Sequence, residues 1–87
     1  MPEFQHDTKK SLTNLKKHGI DFEQAQMLWE DPNLLELAAR SEDEPRSLIV
    51  ARLNVHYWSA VVTYRDDEVR IISVRRSRPA EVELYES

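Results

Sequence analysis

The sequence has 87 residues, no cysteine, one glycine and a formal charge of −4, and 40% of its residues are hydrophobic. A chain of this length buries only about 60–65% of its unfolded surface, so we expect a single domain over residues 1–87 with no dinucleotide-binding crevice. Disulfide frameworks, thiol catalysis and cysteine-ligated zinc are excluded, and the absence of a secretory pattern or a long apolar run predicts a cytoplasmic protein without a membrane partner.

The N-terminal part of the chain predicts two helices that meet at the single glycine. Asp7 is an N-cap for a helix over Thr8–His18, with Leu12 and Leu15 as its apolar stripe. Gly19 then stands where the left-handed conformation ends a helix. Asp21 caps a second helix, which Asp31-Pro32-Asn33 terminates and whose predicted buried residues are Phe22, Ala25, Leu28 and Trp29.

From residue 34 onwards the pattern predicts a four-stranded antiparallel meander and an α+β fold. The expected strands are Leu34–Arg40, Arg46–Leu53, His56–Tyr64 and Val69–Arg76, separated by an acidic loop at 41–45 and by turns at 54–55 and 65–68. Strict alternation in the last strand puts Arg75 on a mainly apolar face. A short helix from Pro79 to about Glu86 follows.

Charge is distributed unevenly along the chain. Residues 31–45 sum to −4, whereas residues 46–80 carry seven arginines against three acids and sum to +4. Arginine's planar fork suits phosphate and carboxylate groups, so this segment fits a polyanion site or an acidic protein partner. A solvated sheet face is the structural alternative.

The side chains available for chemistry favour metal-free RNA cleavage over other reactions. The three histidines, His6, His18 and His56, show no metal-ligand spacing, and no serine lies in a glycine-rich elbow. We therefore expect no metal and no cofactor. Cleavage of RNA by its own 2′-hydroxyl needs a base, an acid and fixed cations, which histidine, lysine, arginine, glutamate and tyrosine supply.

Each candidate also has a structural interpretation. Lys17 and His18 end a helix, where they complement the dipole. Glu81 and Tyr85 lie one helical turn apart and fit a surface hydrogen-bonding pair as well as acid catalysis. The aromatic run His56-Tyr57-Trp58 can stack on bases or pack across strands.

Two motifs resemble one family over essentially the whole chain. The first is Phe4-x-x-Asp7-x-x-Lys10-x-x-x-Asn14-Leu15-x-Lys17-His18-Gly19-Ile20-x-Phe22-x-x-Ala25, followed by Asp31-Pro32. The second is Arg70-Ile71-Ile72-Ser73-Val74-Arg75-Arg76, followed by Glu81 and Tyr85-Glu86. In this order and at this separation they resemble the BrnT toxins of type II toxin-antitoxin systems.

The resemblance implies a fold similar to the RelE and ParE toxins and an RNA-cleaving activity that inhibits translation. It also implies a BrnA-like antitoxin with a ribbon-helix-helix region, through which alone the complex contacts operator DNA. By position it implies the catalytic residues Lys17, His18, Arg75, Glu81 and Tyr85, with His18 or Glu81 as base or acid. The RNA-binding candidates are Arg46, Arg52, Arg76 and Arg78.

Two positions depart from the family pattern. His6 replaces a common tryptophan, and Arg78 replaces a threonine, which removes a reciprocal helix cap and leaves Ser77 as an alternative cap. The main rival hypothesis is a non-catalytic relative whose arginines only bind an acidic partner. Direct DNA binding is disfavoured because no predicted helix carries a basic face rich in Asn and Gln.

Overall fold

The computed structural model describes residues 2–39 and 45–87. Residues 41–44 of the predicted acidic loop, and Arg40, lie outside this range. The α-helices are α1 Thr8–His18, α2 Phe22–Ala25 and α3 Pro79–Glu86, and a 3₁₀ helix covers Gln26–Glu30. The strands are β1 Glu3–Gln5, β2 Leu35–Ala39, β3 Arg46–Leu53, β4 His56–Arg65 and β5 Glu68–Arg76.

The described strands form one five-stranded mixed sheet in the order β1-β5-β4-β3-β2. The prediction of a four-stranded antiparallel meander is therefore wrong. The extra strand β1 pairs in parallel with β5, with Phe4 opposite Val69, and the other pairs are antiparallel. Three residues are too few to show an alternating pattern, and β1 is stabilised by tertiary contacts such as the edge-on packing of Phe4 on Trp29 at 4.9 Å.

The helix signals are confirmed at the start of each N-terminal helix, but the second helix is not arranged as predicted. Asp7 accepts hydrogen bonds from the N–H groups of Lys9 and Lys10, and Gly19 has φ 78°. Asp21 forms a capping box, yet α2 has only four residues before the chain tightens into the 3₁₀ helix. The 3₁₀ segment ends with a bond from the Asp31 N–H to the Leu28 carbonyl.

Helix α1 buries a polar face, which corrects the predicted leucine stripe. Leu12 and Leu15 are 56% and 39% exposed, whereas Ser11 and Asn14 are buried. The Asn14 amide donates to the Ile20 carbonyl (2.7 Å) and accepts from the Val74 N–H (3.0 Å). β1 pairs only with residues 68–70, so α1 meets the backbone edge of β5, where hydrogen-bonding side chains fit better than leucines.

We expect Asn14→Ala to lower the free energy of unfolding by about 2–4 kcal/mol, because two buried backbone groups lose their partners. The matched control is Thr13→Ala, since Thr13 is exposed and its side chain, among the residues that the structure describes, bonds only to the Lys9 carbonyl of its own helix. Urea unfolding of both variants measures the difference. Equal losses in the two variants would contradict the bridging role of Asn14.

A bulge in the last hairpin changes which side chains share a face. Val61 lies opposite Ser73 and Val62 lies opposite Ile71, so Ile72 is an extra residue on β5. The prediction from strict alternation, which places Arg75 on the apolar face of β5 together with Ile71, is therefore wrong.

The sheet has helices on both faces. On one face, α1, α2 and the 3₁₀ helix cover the core, in which Ile20, Phe22, Ala25 and Leu28 pack on Ile49, Ala51, Trp58, Ala60, Val62, Val69, Ile71 and Val74. On the other face, α3 lies across β3, β4 and β5, as its contacts with Tyr57, Ser59 and Arg75 show. This second face carries the polar groups of the candidate site.

Candidate active site

A row of side chains crosses three strands beneath α3. Ser59 on β4 lies opposite both Val50 on β3 and Arg75 on β5. Directly opposed residues share a face, and so do residues two apart on one strand. Arg52 and Tyr57 therefore flank this row on one side, and Ser73 flanks it on the other.

Arg75 forms a bidentate ion pair with Glu81. Its two terminal nitrogens each lie 2.8 Å from a different carboxylate oxygen of Glu81. Glu81 also accepts hydrogen bonds from the Ser59 hydroxyl and the Arg78 N–H, both at 2.8 Å. One of the two bonds of the reciprocal cap, the one from the Arg78 N–H to Glu81, is therefore present despite the change at Arg78. The predicted alternative cap is wrong, because the Ser77 hydroxyl bonds to Ser59 rather than to the helix.

The ion pair determines the protonation of both partners. The hydrogen bonds from Arg75, together with those from Arg78 and Ser59, lower the pKa of Glu81 to about 2 against the effect of burial. The same pairing raises the pKa of Arg75. Glu81 is therefore ionised at neutral pH and suits the orientation of Arg75 better than proton donation.

This pair predicts a pH-dependent stability. The folded pKa of Glu81 lies below its ordinary value of 4.5, so the stabilisation is complete above about pH 4.5 and is lost as the pH falls towards 2. We expect Glu81→Gln to remove a contribution of up to about 3 kcal/mol to the free energy of unfolding.

Urea unfolding of wild type and Glu81→Gln near neutral pH and again at about pH 3 tests this expectation. The control is Glu83→Gln, because Glu83 is an exposed carboxylate on the same helix. An equal acid sensitivity of the Glu81 variant and wild type would contradict the assignment.

Two tyrosines, each bonded to a carboxylate, lie at the other end of α3. The Tyr85 hydroxyl donates to Asp31 at 2.7 Å, and the Tyr57 hydroxyl donates to Glu86 at 2.8 Å. Their rings meet edge-on at 5.3 Å, and the Arg52 guanidinium lies 5.9 Å from the Tyr57 ring centroid. The bond to Asp31 raises the pKa of Tyr85 to about 12, and the bond to Glu86 raises that of Tyr57. Both phenols therefore keep their protons at neutral pH.

Lys17 and His18 line a separate pocket of about 240 Å³ at the edge of β5. Ser73 lines the same pocket, and strand geometry places its Cα about 7 Å from that of Arg75. Within residues 2–39 and 45–87, no hydrogen bond or ion pair joins Lys17 or His18 to Arg75 or Glu81. Lys17 and His18 thus lie near the same end of β5 as Arg75 and Glu81, but the two pairs of residues are not in direct contact.

The predicted RNA-binding arginines are divided between the faces. By their register on β3, Arg46 and Arg52 share the face of Arg75. Arg76 lies on the opposite face, over the Trp58 ring, and Arg78 is exposed at the start of α3.

Ser59 and Asp31 are site residues that sequence reasoning missed. Asp31 was assigned only to a helix end, yet its carboxylate also accepts from the Arg52 N–H at 2.8 Å. Burial raises the pKa of Asp31, but this bond and the one from Tyr85 outweigh burial, so that pKa is lowered overall. A serine inside an apolar strand was the available signal for Ser59, which is 1% exposed.

A family profile described as "Ribonuclease toxin, BrnT, of type II toxin-antitoxin system" matches residues 6–81. The chain belongs to the BrnT toxin family. Membership of this family implies an antitoxin partner. The BrnT match includes Lys17, His18, Arg75 and Glu81 and ends before Tyr85.

A comparison with curated proteins found no match. None of the helices in the described part of this BrnT family member is long and apolar enough to cross a membrane.

Proposed function

We propose that this protein is a metal-independent endoribonuclease that cleaves RNA through its own 2′-hydroxyl group and so inhibits translation in the cytoplasm. The substrate lies along the end of β5, between the pocket of Lys17 and His18 and the Arg75–Glu81 pair. The observation that carries the proposal is the position of the fixed Arg75 guanidinium on the same strand face as Ser73. Ser73 also lines the pocket of Lys17 and His18.

The reaction is an internal transesterification at phosphorus. His18 accepts the 2′-hydroxyl proton, the 2′-oxygen forms a bond to phosphorus, and the bond to the 5′-oxygen breaks. A water molecule gives a proton to the departing 5′-oxygen, because the Tyr85 hydroxyl lies at the other end of α3 and already donates to Asp31. The products are a 2′,3′-cyclic phosphate and a 5′-hydroxyl group.

Arg75 stabilises the charge that develops on the phosphorane. A preoriented guanidinium contributes most where charge appears only in the transition state. Lys17 adds electrostatic attraction, and Arg46 and Arg52 bind neighbouring phosphates on the same sheet face.

We assign the antitoxin partner to the ribbon-helix-helix class, because the chain resembles toxins paired with such proteins. In this proposal the antitoxin inhibits cleavage, and operator DNA is contacted only through the complex. A non-catalytic co-repressor with an arginine-rich docking face is the second candidate function.

Incubation of the purified protein with RNA in excess EDTA tests the enzyme hypothesis. We expect cleavage at an undiminished rate and products bearing 2′,3′-cyclic phosphate and 5′-hydroxyl ends. Induced expression without antitoxin should stop growth and cut cellular RNA. Intact RNA and normal growth would favour the co-repressor, and loss of cleavage in EDTA would overturn metal independence.

A further inference from the structure

A cleft lies on the core face of the sheet, between the corner that joins α1 to α2 and the β3–β4 hairpin. Its volume is about 350 Å³, near the lower end of the roughly 300–1,000 Å³ typical of small-ligand sites. Its lining combines apolar and hydrogen-bonding side chains, among them Ile20, Leu53, Trp58, Gln24, Asn54 and His56. Trp58 itself is only 8% exposed, whereas His56, Gln24 and Asn54 are exposed, so the cleft offers an apolar floor together with an accessible imidazole ring and polar groups for the edge of a ligand.

A cationic side chain, Arg76, lies next to the aromatic residues of this cleft. The Arg76 guanidinium carbon lies 5.5 Å from the centroid of the Trp58 ring, and the His56 ring meets that ring edge-on at 6.4 Å. Among the described residues, Arg76 forms no ion pair. Its charge is available to an anionic group of a ligand.

One polar group of the lining is already oriented. The Gln24 carbonyl oxygen accepts from the Asp21 N–H at 3.1 Å, as part of the α2 capping box. This bond fixes the side chain, and within residues 2–39 and 45–87 its amide NH₂ group has no partner, so the group can donate to a ligand. A nucleobase edge presents matching acceptors.

We propose that this cleft binds one unpaired nucleobase of an RNA strand while Arg76 contacts a neighbouring phosphate. The inference deepens the proposed function and rests on it for the identity of the polymer. Single-stranded RNA is recognised by stacking on aromatic or guanidinium planes and by hydrogen bonds to the base edge. Gln24, Asn54 and Arg76 are exposed polar side chains that a base edge and a phosphate can bind, whereas an apolar protein side chain would make no use of them.

The cleft and the proposed cleavage site are separate cavities, but consecutive residues line them. Gly19 lines the cleft and the preceding residue, His18, lines the pocket on the other side of the α1 end. Arg75 and Arg76 are consecutive on β5 and lie on opposite faces of the sheet. An RNA strand that passes this end of β5 meets both arginines, so cleavage requires an unpaired base near the scissile phosphate.

Fluorescence of Trp58 provides a direct test. The chain has two tryptophans, so Trp29→Phe leaves Trp58 as the single reporter. The probes are short 2′-O-methyl oligoribonucleotides, which lack the attacking hydroxyl and are not cut. We expect saturable quenching by single strands and none by the same strands annealed to their complements.

Variants of the cleft should weaken this binding selectively. We expect His56→Ala and Arg76→Gln each to raise the Kd about tenfold, within the range for one stacked base. Lys9→Gln is the charge-matched control, because Lys9 is an exposed cation in the first turn of α1. A tenfold loss in this control as well would indicate only general electrostatics and would overturn the proposal.

The outcomes separate the cleft from the enzyme activity. Quenching without cleavage of ordinary RNA would support the cleft and contradict the proposed function. Cleavage without quenching would overturn the cleft and leave the enzyme proposal intact. Quenching by the antitoxin polypeptide but not by oligonucleotides would overturn the proposal in favour of a protein-docking surface.

Discussion

Replacing Arg75 with alanine is expected to lower the rate constant for RNA cleavage by about 100- to 1,000-fold, the cost of removing one preoriented donor to a developing oxyanion. Arg75 presents two nitrogens to Glu81 and keeps its side chain 27% exposed, so it is both fixed and accessible to a phosphate. Arg75→Lys retains the charge but loses the planar fork, and most of the loss should remain. Single-turnover cleavage of a labelled RNA measures the effect.

A paired variant separates catalysis from folding. Arg75→Ala leaves the Glu81 carboxylate without its cation, whereas Arg75→Ala combined with Glu81→Gln removes both charges of the pair. We expect the double variant to regain part of the unfolding free energy but none of the cleavage rate. Wild-type cleavage by either folded variant would exclude Arg75 from the catalytic machinery.

Replacing His18 with glutamine is expected to lower the cleavage rate by about 100- to 10,000-fold, the usual contribution of general acid-base catalysis. Glutamine retains hydrogen-bonding capacity but cannot exchange a proton. The rate of the variant should therefore also lose the pH dependence that proton transfer by His18 gives to the wild-type rate. A pH profile of the cleavage rate for both proteins provides the measurement.

His6→Gln is the matched control for this experiment. The His6 ring packs edge-on against Phe22 at 5.8 Å, and the side chain does not line the pocket of His18. We expect its pH profile to follow wild type. An unchanged profile for His18→Gln would assign His18 to the end of α1, where a basic group complements the helix dipole.

The predicted helix boundaries at α1 agree with the structure because their causes are local. The Asp7 cap and the left-handed Gly19 involve residues within four positions of the helix ends. The packing of α1 was not predictable in this way, since the partner of Asn14 is the N–H of Val74, 60 residues further along the chain. A leucine pair at helical spacing indicates an apolar stripe, but not that a strand edge lies where the helix packs.

The candidate site shows the same difference between features with local causes and features that depend on long-range contacts. The sequence pointed to Arg75, Glu81 and Tyr85 as separate residues near the C-terminus. It did not indicate that Arg75 and Glu81 form an ion pair, because that depends on the bulge at Ile72 and on the docking of α3. Ser59 and Asp31 were missed for the same reason, since each acquires its role only when distant elements meet.

The sequence by itself therefore determined the α+β class, the caps of the two N-terminal helices, the positions of β3, β4 and β5, and the family motifs, all of which depend on short spacings. Only the tertiary structure decided the parallel strand β1, the buried polar face of α1 and the separation of Arg75 from Arg76 onto opposite faces. These features depend on register and on contacts between residues far apart in the chain. A single bulge reverses the face of every later side chain, and no local pattern records it.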